Sequence, residues 1–199
     1  MVPTTYVDPA DSPPELSGEI VVKPAVSAGA RDTGRFGVEH HPDAETLLAR
    51  LAAEGRAAMV QPYLRSVDSE GETAVVFIGG EPTHVLRKRA VLRPDEEAPI
   101  RSDELGAAEA MYDSGLVTGS SGGQAEHELA EAVVDYVGRH FGGRPLYARV
   151  DMVPGPGGAP AVMELELVEP YFYLATAPAA VDRLAEAILR EASAAADGP

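Results

Sequence analysis

Alternation of apolar and polar residues is clearest between residues 145 and 170, PLYARVDMVPGPGGAPAVMELELVEP. Two strand-like runs, 146–153 and 161–168, flank PGPGGAP. That Pro/Gly stretch continues neither helix nor strand and predicts a hairpin loop. Residues two apart on a strand share a face. Arg149 and Asp151 therefore point the same way, and so do Glu164 and Glu166. If the runs pair antiparallel with these faces together, three carboxylates and a guanidinium meet on one surface. Val150, Met152, Met163, Leu165 and Leu167 are then expected on the other side, facing a core.

Elsewhere the pattern predicts short strands at 4–7, 19–23, 57–63, 73–78 and 84–88, the last two joined by a GGEP turn. Strands 57–63, 73–78 and 84–88 follow one another through short connections, which predicts an antiparallel meander. Helices are expected at 43–55, 126–141 and 179–194. The first is capped by Asp43, carries a Leu47/Leu48/Leu51 stripe and is closed by Gly55. The second turns Leu129, Val133, Val134 and Val137 inward, and the third Val181, Leu184, Ile188 and Leu189. Residues 25–41, 93–106 and 111–124 read as loops, the last rich in glycine. Residues 1–18 form an extended lead-in, and 171–174 a short aromatic segment.

A chain of 199 residues, 45% hydrophobic, supports one domain or two small lobes. The expected division is 1–62, lead-in and a small lobe, and 63–199, a larger lobe. Net charge of −16 argues against nucleic acid as a partner, since phosphate binding requires clustered Lys and Arg. No cysteine is present for disulfide or thiolate chemistry. No apolar run reaches membrane-spanning length and the N-terminal residues lack signal-peptide character, so no membrane partner and a cytoplasmic location are expected.

Lys23 and Lys88 are the only lysines beside fourteen arginines. Where arginine is the default cation, a lysine marks a place for a compact ammonium. Lys23 ends a strand before a loop bearing Ser27, Gly29, Arg31, Thr33, Gly34, Arg35 and Gly37. Its glycines let backbone N–H groups approach an anion, and its arginines add charge. The GxxxxGK[ST] order of a P-loop is absent. In the hairpin, Asp151, Glu164 and Glu166 repel one another unless a cation sits among them. Oxygen ligands without Cys or His favour Mg²⁺ or Mn²⁺. His40, His41, His127 and His140 read as surface or packing residues. His84, near Lys88, is the exception to watch.

The stretches VVKPAVSAGARDTGRF, MVQPYL…GE…VVFIGGEPTHVLRKR and ARVDMV…VMELELVEP, in this order over most of residues 19–174, resemble the C-terminal part of ATP-grasp enzymes. The group includes glutathione synthetase-like and D-alanine–D-alanine ligase-like carboxylate–amine ligases. The pairing of VVKPAVSAG with ELELVEP is similar to cyclising ligases of the cycloserine type. The resemblance implies an α+β protein whose two lobes grip ATP, and a reaction that activates a carboxylate as an acylphosphate for attack by an amine. It implies phosphate contacts from Lys23, the 27–36 loop and Lys88, and adenine recognition by backbone groups of Gln61, Pro62, Tyr63 and Leu64. It further implies a ribose contact from Glu72, magnesium ligation by Asp151, Glu164 and Glu166, and Arg149 beside the transferred phosphate.

Many relatives have Asn at the third metal position, where this chain has Glu166. They also carry about a hundred residues before this region that supply part of the substrate pocket. A piece of a longer protein, a late-started reading frame or a naturally shortened protein would each explain the difference. A non-catalytic ATP-binding module that needs such a domain is therefore the alternative to an active ligase, and a purely metal-binding protein is the third reading. Arg101, Asp113, Ser120, Ser121, Gln124 and Glu169 are candidates for contacting small-molecule acid and amine substrates. A lobe without its neighbouring domain is expected to expose apolar surface, which leaves a homo-oligomer open.

Overall fold

The computed structural model describes residues 1–27, 29–92 and 115–196. They form two compact units, each built on its own antiparallel sheet, so the α+β expectation holds.

The first unit comprises Val2–Arg65 with the described residues of 90–116. Its strands are β1 (Thr5–Val7), β2 (Ile20–Pro24), β3 (Gly34–Phe36) and β4 (Ala58–Pro62), in the order β1-β4-β2-β3. Helix α1 (His41–Ala53) buries Ala44, Leu47, Leu48 and Leu51 against Ile20, Val22, Phe36, Ala58 and Val60. Its start differs from expectation. The helix begins before Asp43, with Pro42 in the first turn, where a missing N–H removes no helical hydrogen bond. Asp43 sits inside the first turn and pairs with His40 Nδ1 at 3.1 Å. Two other differences concern pairing. Residues 34–36, expected as loop, pair with β2 in the register Ile20↔Phe36. Strand β4 does not open a meander with the strands that follow; it lies between β1 and β2.

The second unit comprises Met1, Ser66–Arg89 and Val117–Pro199, of which 197–199 lie outside the described residues. Short helix α2 (Ser66–Glu70) precedes strands β5 (Glu72–Ile78), β6 (Glu81–Lys88), β7 (Val117–Ser120), β8 (Tyr147–Pro154) and β9 (Pro160–Glu166), ordered β7-β6-β5-β8-β9. The turn between β5 and β6 is only Gly79–Gly80. Both have positive φ, 65° and 81°, the combination a two-residue hairpin needs. Glu81 and Pro82, expected in that turn, already belong to β6. Residues 117–120, expected as loose chain, form the edge strand β7. The expected loop at 93–106, and 111–114, lie outside the described residues.

Helix α3 (Gln124–Phe141) covers one face of this sheet, with Ala130 and Val134 packed among Val75, Phe77, Val85, Ala148, Val150 and Met152. Helix α4 (Ala179–Ala196) packs on the other face through Ala180, Leu184 and Ala187, against Ala74, Val76, Ile78 and Leu86. The stripe expected on α4 is thus rotated. Val181 and Ile188 are each 48% exposed and Leu189 66%. Small alanines let the helix approach the sheet, and of the four expected residues Leu184 alone packs in that core. A bulge between Asp151 and Met152 sets Met152 opposite Val162. Val162 therefore joins the core in place of Met163, and Leu165 is 36% exposed.

Candidate active site

Pairing register assembles the charged face of the second unit. Cross-strand partners share a face, as do positions two apart. Lys88 stands opposite Glu72, Ala74 opposite Asp151 and Val76 opposite Arg149. Asp151 stands opposite Glu164 and Arg149 opposite Glu166. All six ionisable residues therefore project from the face that α4 partly covers. On the Glu164 side of the bulge the hairpin is paired as its alternation predicts.

The contacts are dense. Lys88 Nζ donates to Asp151 Oδ2 at 2.7 Å and lies 2.9 Å from Glu72 Oε2. Arg149 Nε donates to both Asp151 oxygens, at 2.9 and 3.2 Å, and Nη2 donates to Asp151 Oδ2 at 2.9 Å. Nη2 also donates to Glu166 Oε1, and Nη1 to the Tyr171 carbonyl at 3.0 Å. The Tyr173 ring centroid lies 5.8 Å from the Arg149 guanidinium carbon.

Burial opposes the charges of Lys88, Asp151 and Glu166. At Lys88 the Glu72 and Asp151 carboxylates outweigh it and hold the ammonium's pKa above its ordinary value. At Asp151 it is outweighed by Lys88 and Arg149, and the carboxyl lies below its ordinary range. At Glu166 burial prevails and the pKa is raised, although Arg149 is bonded to it. The guanidinium is shared with Asp151, while Glu164 and Asp151 add repulsion. Four carboxylates thus face two cations, an excess of two negative charges. Asp151, Glu164 and Glu166 each offer an oxygen, all within 4.8 Å of one another. The donor set and the excess charge both fit a hard divalent cation such as Mg²⁺ or Mn²⁺.

Other site expectations fall in the first unit. Lys23 lies half-buried on β2 opposite Met59. Beyond it, Gly29, Ala30 and Asp32 have positive φ of 65°, 55° and 55°. Ser27 Oγ donates to the Arg31 carbonyl at 3.1 Å. Arg35, expected to add charge to the loop, is instead buried. It bonds Glu19 at 2.7 Å and lies 3.5 Å over the Tyr63 ring. Gln61 and Pro62 belong to β4, opposite Val21 and Ile20, and Tyr63 N donates to the Glu19 carbonyl at 2.8 Å. Leu64 follows, half-buried. Of the substrate candidates, Ser120 ends β7, Ser121 follows it and Gln124 begins α3. Arg101 and Asp113 lie outside the described residues.

Two features escaped the sequence. The Tyr171 carbonyl orients Arg149, but a backbone oxygen carries no residue-type signal. Asp32 is wholly buried in the glycine-rich loop, clamped by Arg50 at 3.0 Å and Arg56 at 2.7 Å. Its neighbours are sequence-distant, so local spacing could not reveal it.

No protein-family model matches the sequence. The cycloserine biosynthesis protein DcsG of Streptomyces lavendulae is 33% identical over 202 residues, covering 94% of this chain and 63% of that protein. The crystal structure of D-cycloserine synthetase DcsG matches with a TM-score of 0.80 at 27% identity, over 96% of this chain and 64% of that one. D-alanine–D-alanine ligase from Bacillus anthracis, solved with ATP, shares the fold at a TM-score of 0.61 and 16% identity, over 95% of this chain and 60% of the ligase. The chain spans somewhat under two thirds of the length of these relatives. Likeness over nearly all of its own length, in sequence and in backbone to DcsG and in backbone to the D-alanine–D-alanine ligase, gives this chain the ATP-grasp fold.

Proposed function

We propose that the chain acts as an ATP- and Mg²⁺-dependent ligase, activating a small-molecule carboxylate as its acylphosphate for attack by an amine. The observation that carries this reading is the paired but unbalanced face, in which Lys88 and Arg149 stand among Glu72, Asp151, Glu164 and Glu166. Bound MgATP supplies the phosphoryl group. Phosphoryl transfer demands positioning and charge neutralisation more than a nucleophilic side chain, which suits this set of residues.

In this reading Asp151, Glu164 and Glu166 hold the metal, and Lys88 and Arg149 hold phosphate oxygens. Lys23 with Ser27, Gly29 and Arg31 cradles the phosphates, and Glu72 serves the ribose. The backbone of Gln61, Pro62, Tyr63 and Leu64 serves the adenine. Likeness to a cycloserine synthetase and to a D-alanine ligase supports small, amino-acid-like substrates.

Calorimetric titration of ATP, with and without Mg²⁺, tests the reading on the wild type, Lys88→Ala and Glu164→Ala. Magnesium-dependent binding of roughly micromolar strength, lost in both variants, is expected. A folded wild type that binds no ATP would sink it. ATP binding without phosphate release on any acid–amine pair would favour a non-catalytic nucleotide-binding module.

A further inference from the structure

After β9 the chain passes through Glu169, Pro170, Tyr171, Phe172 and Tyr173. Glu169 and Tyr173, with φ of 53° and 51°, are non-glycine residues in the left-handed region. Such a conformation persists where the surroundings over-determine it. Phe172 and Tyr173 pack beside the core under α4, and Phe172 meets Tyr147 edge-on at 5.4 Å. Two polar side chains tie the segment's backbone to the sheet. Arg149 Nη1 donates to the Tyr171 carbonyl at 3.0 Å, and His84 Nε2 lies 2.7 Å from the Phe172 carbonyl.

His84 and Arg149 belong to one cross-strand row. Each stands opposite Val76, from β6 on one side and β8 on the other. They therefore share a face, about 10 Å apart across two strand spacings. From that row they take successive carbonyls of one segment. A carbonyl only accepts, so Nε2 of His84 carries a proton. On the other edge of the ring, Nδ1 lies 2.9 Å from Thr83 Oγ1, which itself lies 3.1 Å from the Val76 carbonyl. The imidazole is thus held at both edges and aimed at the Phe172 carbonyl.

We propose that His84 is a positioning residue for Arg149. By fixing the Phe172 carbonyl it fixes the peptide before it, whose Tyr171 oxygen accepts from Nη1. Asp151 and Glu166 accept the remaining hydrogen bonds described for this guanidinium. Freed from Tyr171, Nη1 loses its partner and the fork turns away from its present plane. His84 touches none of the reacting groups and acts through the backbone of the segment. The importance of this for catalysis rests on the phosphate-holding role proposed for Arg149. The link from His84 to Arg149 does not.

Side-chain nitrogen NMR of Arg149, assigned with Arg149→Lys, tests the link in ATP-free protein. The proteins compared are wild type, His84→Ala and His84→Gln, whose amide restores a donor near the position of Nε2. In His84→Ala, Arg149 N–H exchange is expected to rise about 10-fold or more. In His84→Gln it returns towards wild type, with both variants keeping wild-type far-ultraviolet circular dichroism. Unchanged exchange in His84→Ala overturns the proposal, and so does a Gln variant that behaves like the Ala variant. MgATP is then titrated into the same proteins, with about 10-fold weaker binding expected in His84→Ala and recovery in His84→Gln. A wild type that fails to bind overturns the ligase reading, while the exchange measurement alone decides the His84–Arg149 link.

Discussion

Among the described residues two aspartates are wholly buried, Asp32 in the first unit and Asp151 in the second, and each is held by two cationic side chains. Burial would raise both pKa values, yet both are lowered by those cations. Their surroundings differ. Arg50 and Arg56 also face Glu54, so two acids meet two bases. Lys88 and Arg149 face Glu72, Glu164 and Glu166 as well, so four acids meet two bases. A buried ion pair alone therefore does not mark a site of chemistry. The balanced cluster pins a loop, whereas the unbalanced one fits the cation proposed for it.

Neutralising each aspartate separates the two cases most strongly. Asp32→Asn leaves Arg50 and Arg56 with Glu54 alone, and about 3 kcal/mol of stability should be lost, at the lower end for a broken buried pair. The arginines' partial exposure keeps the cost from being larger. Asp151→Asn leaves Lys88 and Arg149 still facing three carboxylates, so the loss should be less than half as large. Urea unfolding of both variants without metal measures the difference. An Asp151 variant that unfolds as easily as the Asp32 variant would remove the distinction.

The same contrast explains what the sequence disclosed. Alternation along 146–153 and 161–168 was enough to bring Arg149, Asp151, Glu164 and Glu166 together, because strand periodicity is local. Scarcity of lysine singled out Lys88, which lies against Asp151. What was missed depends on partners distant in the chain. Residues 34–36 carry only Gly, Arg and Phe, too little pattern to announce β3. Nothing in β4 says that it pairs with β1 and β2 and not with β5. The hairpin bulge exchanges Met163 for Val162 in the core without altering the alternation. On α4 the larger apolar side chains suggested one face, and alanines that fit closely against the sheet decided another.

A smaller effect comes from trimming the excess charge. Glu164→Gln relieves repulsion on the second unit's face, so the metal-free protein should melt roughly 1–2 °C higher. Mg²⁺ affinity, read by calorimetry, should fall by about 10-fold or more. Stability and metal binding thus move in opposite directions. A variant that is both less stable and unchanged in Mg²⁺ affinity would make Glu164 an ordinary surface charge.

The smallest expected effect, seen in mild acid, distinguishes the clusters by sign. Asp32 titrates below its ordinary 3.8 when folded. Its contribution is complete above that value and is lost as pH falls through the folded pKa. Glu166 titrates above its ordinary 4.5, because burial and neighbouring carboxylates outweigh Arg149. The folded, metal-free protein takes up that proton before the unfolded chain does. Stability is therefore gained as pH falls through the folded pKa towards 4.5, and lost as pH rises again. Urea unfolding between about pH 7 and 3 should show a shallow rise followed by a fall. Glu166→Gln should flatten the rise and Asp32→Asn should soften the fall. Saturating Mg²⁺ should abolish the rise alone, since an ion among Asp151, Glu164 and Glu166 keeps Glu166 ionised and leaves the Asp32 cluster untouched. A rise that survives both Glu166→Gln and Mg²⁺ would locate the excess charge somewhere other than this face.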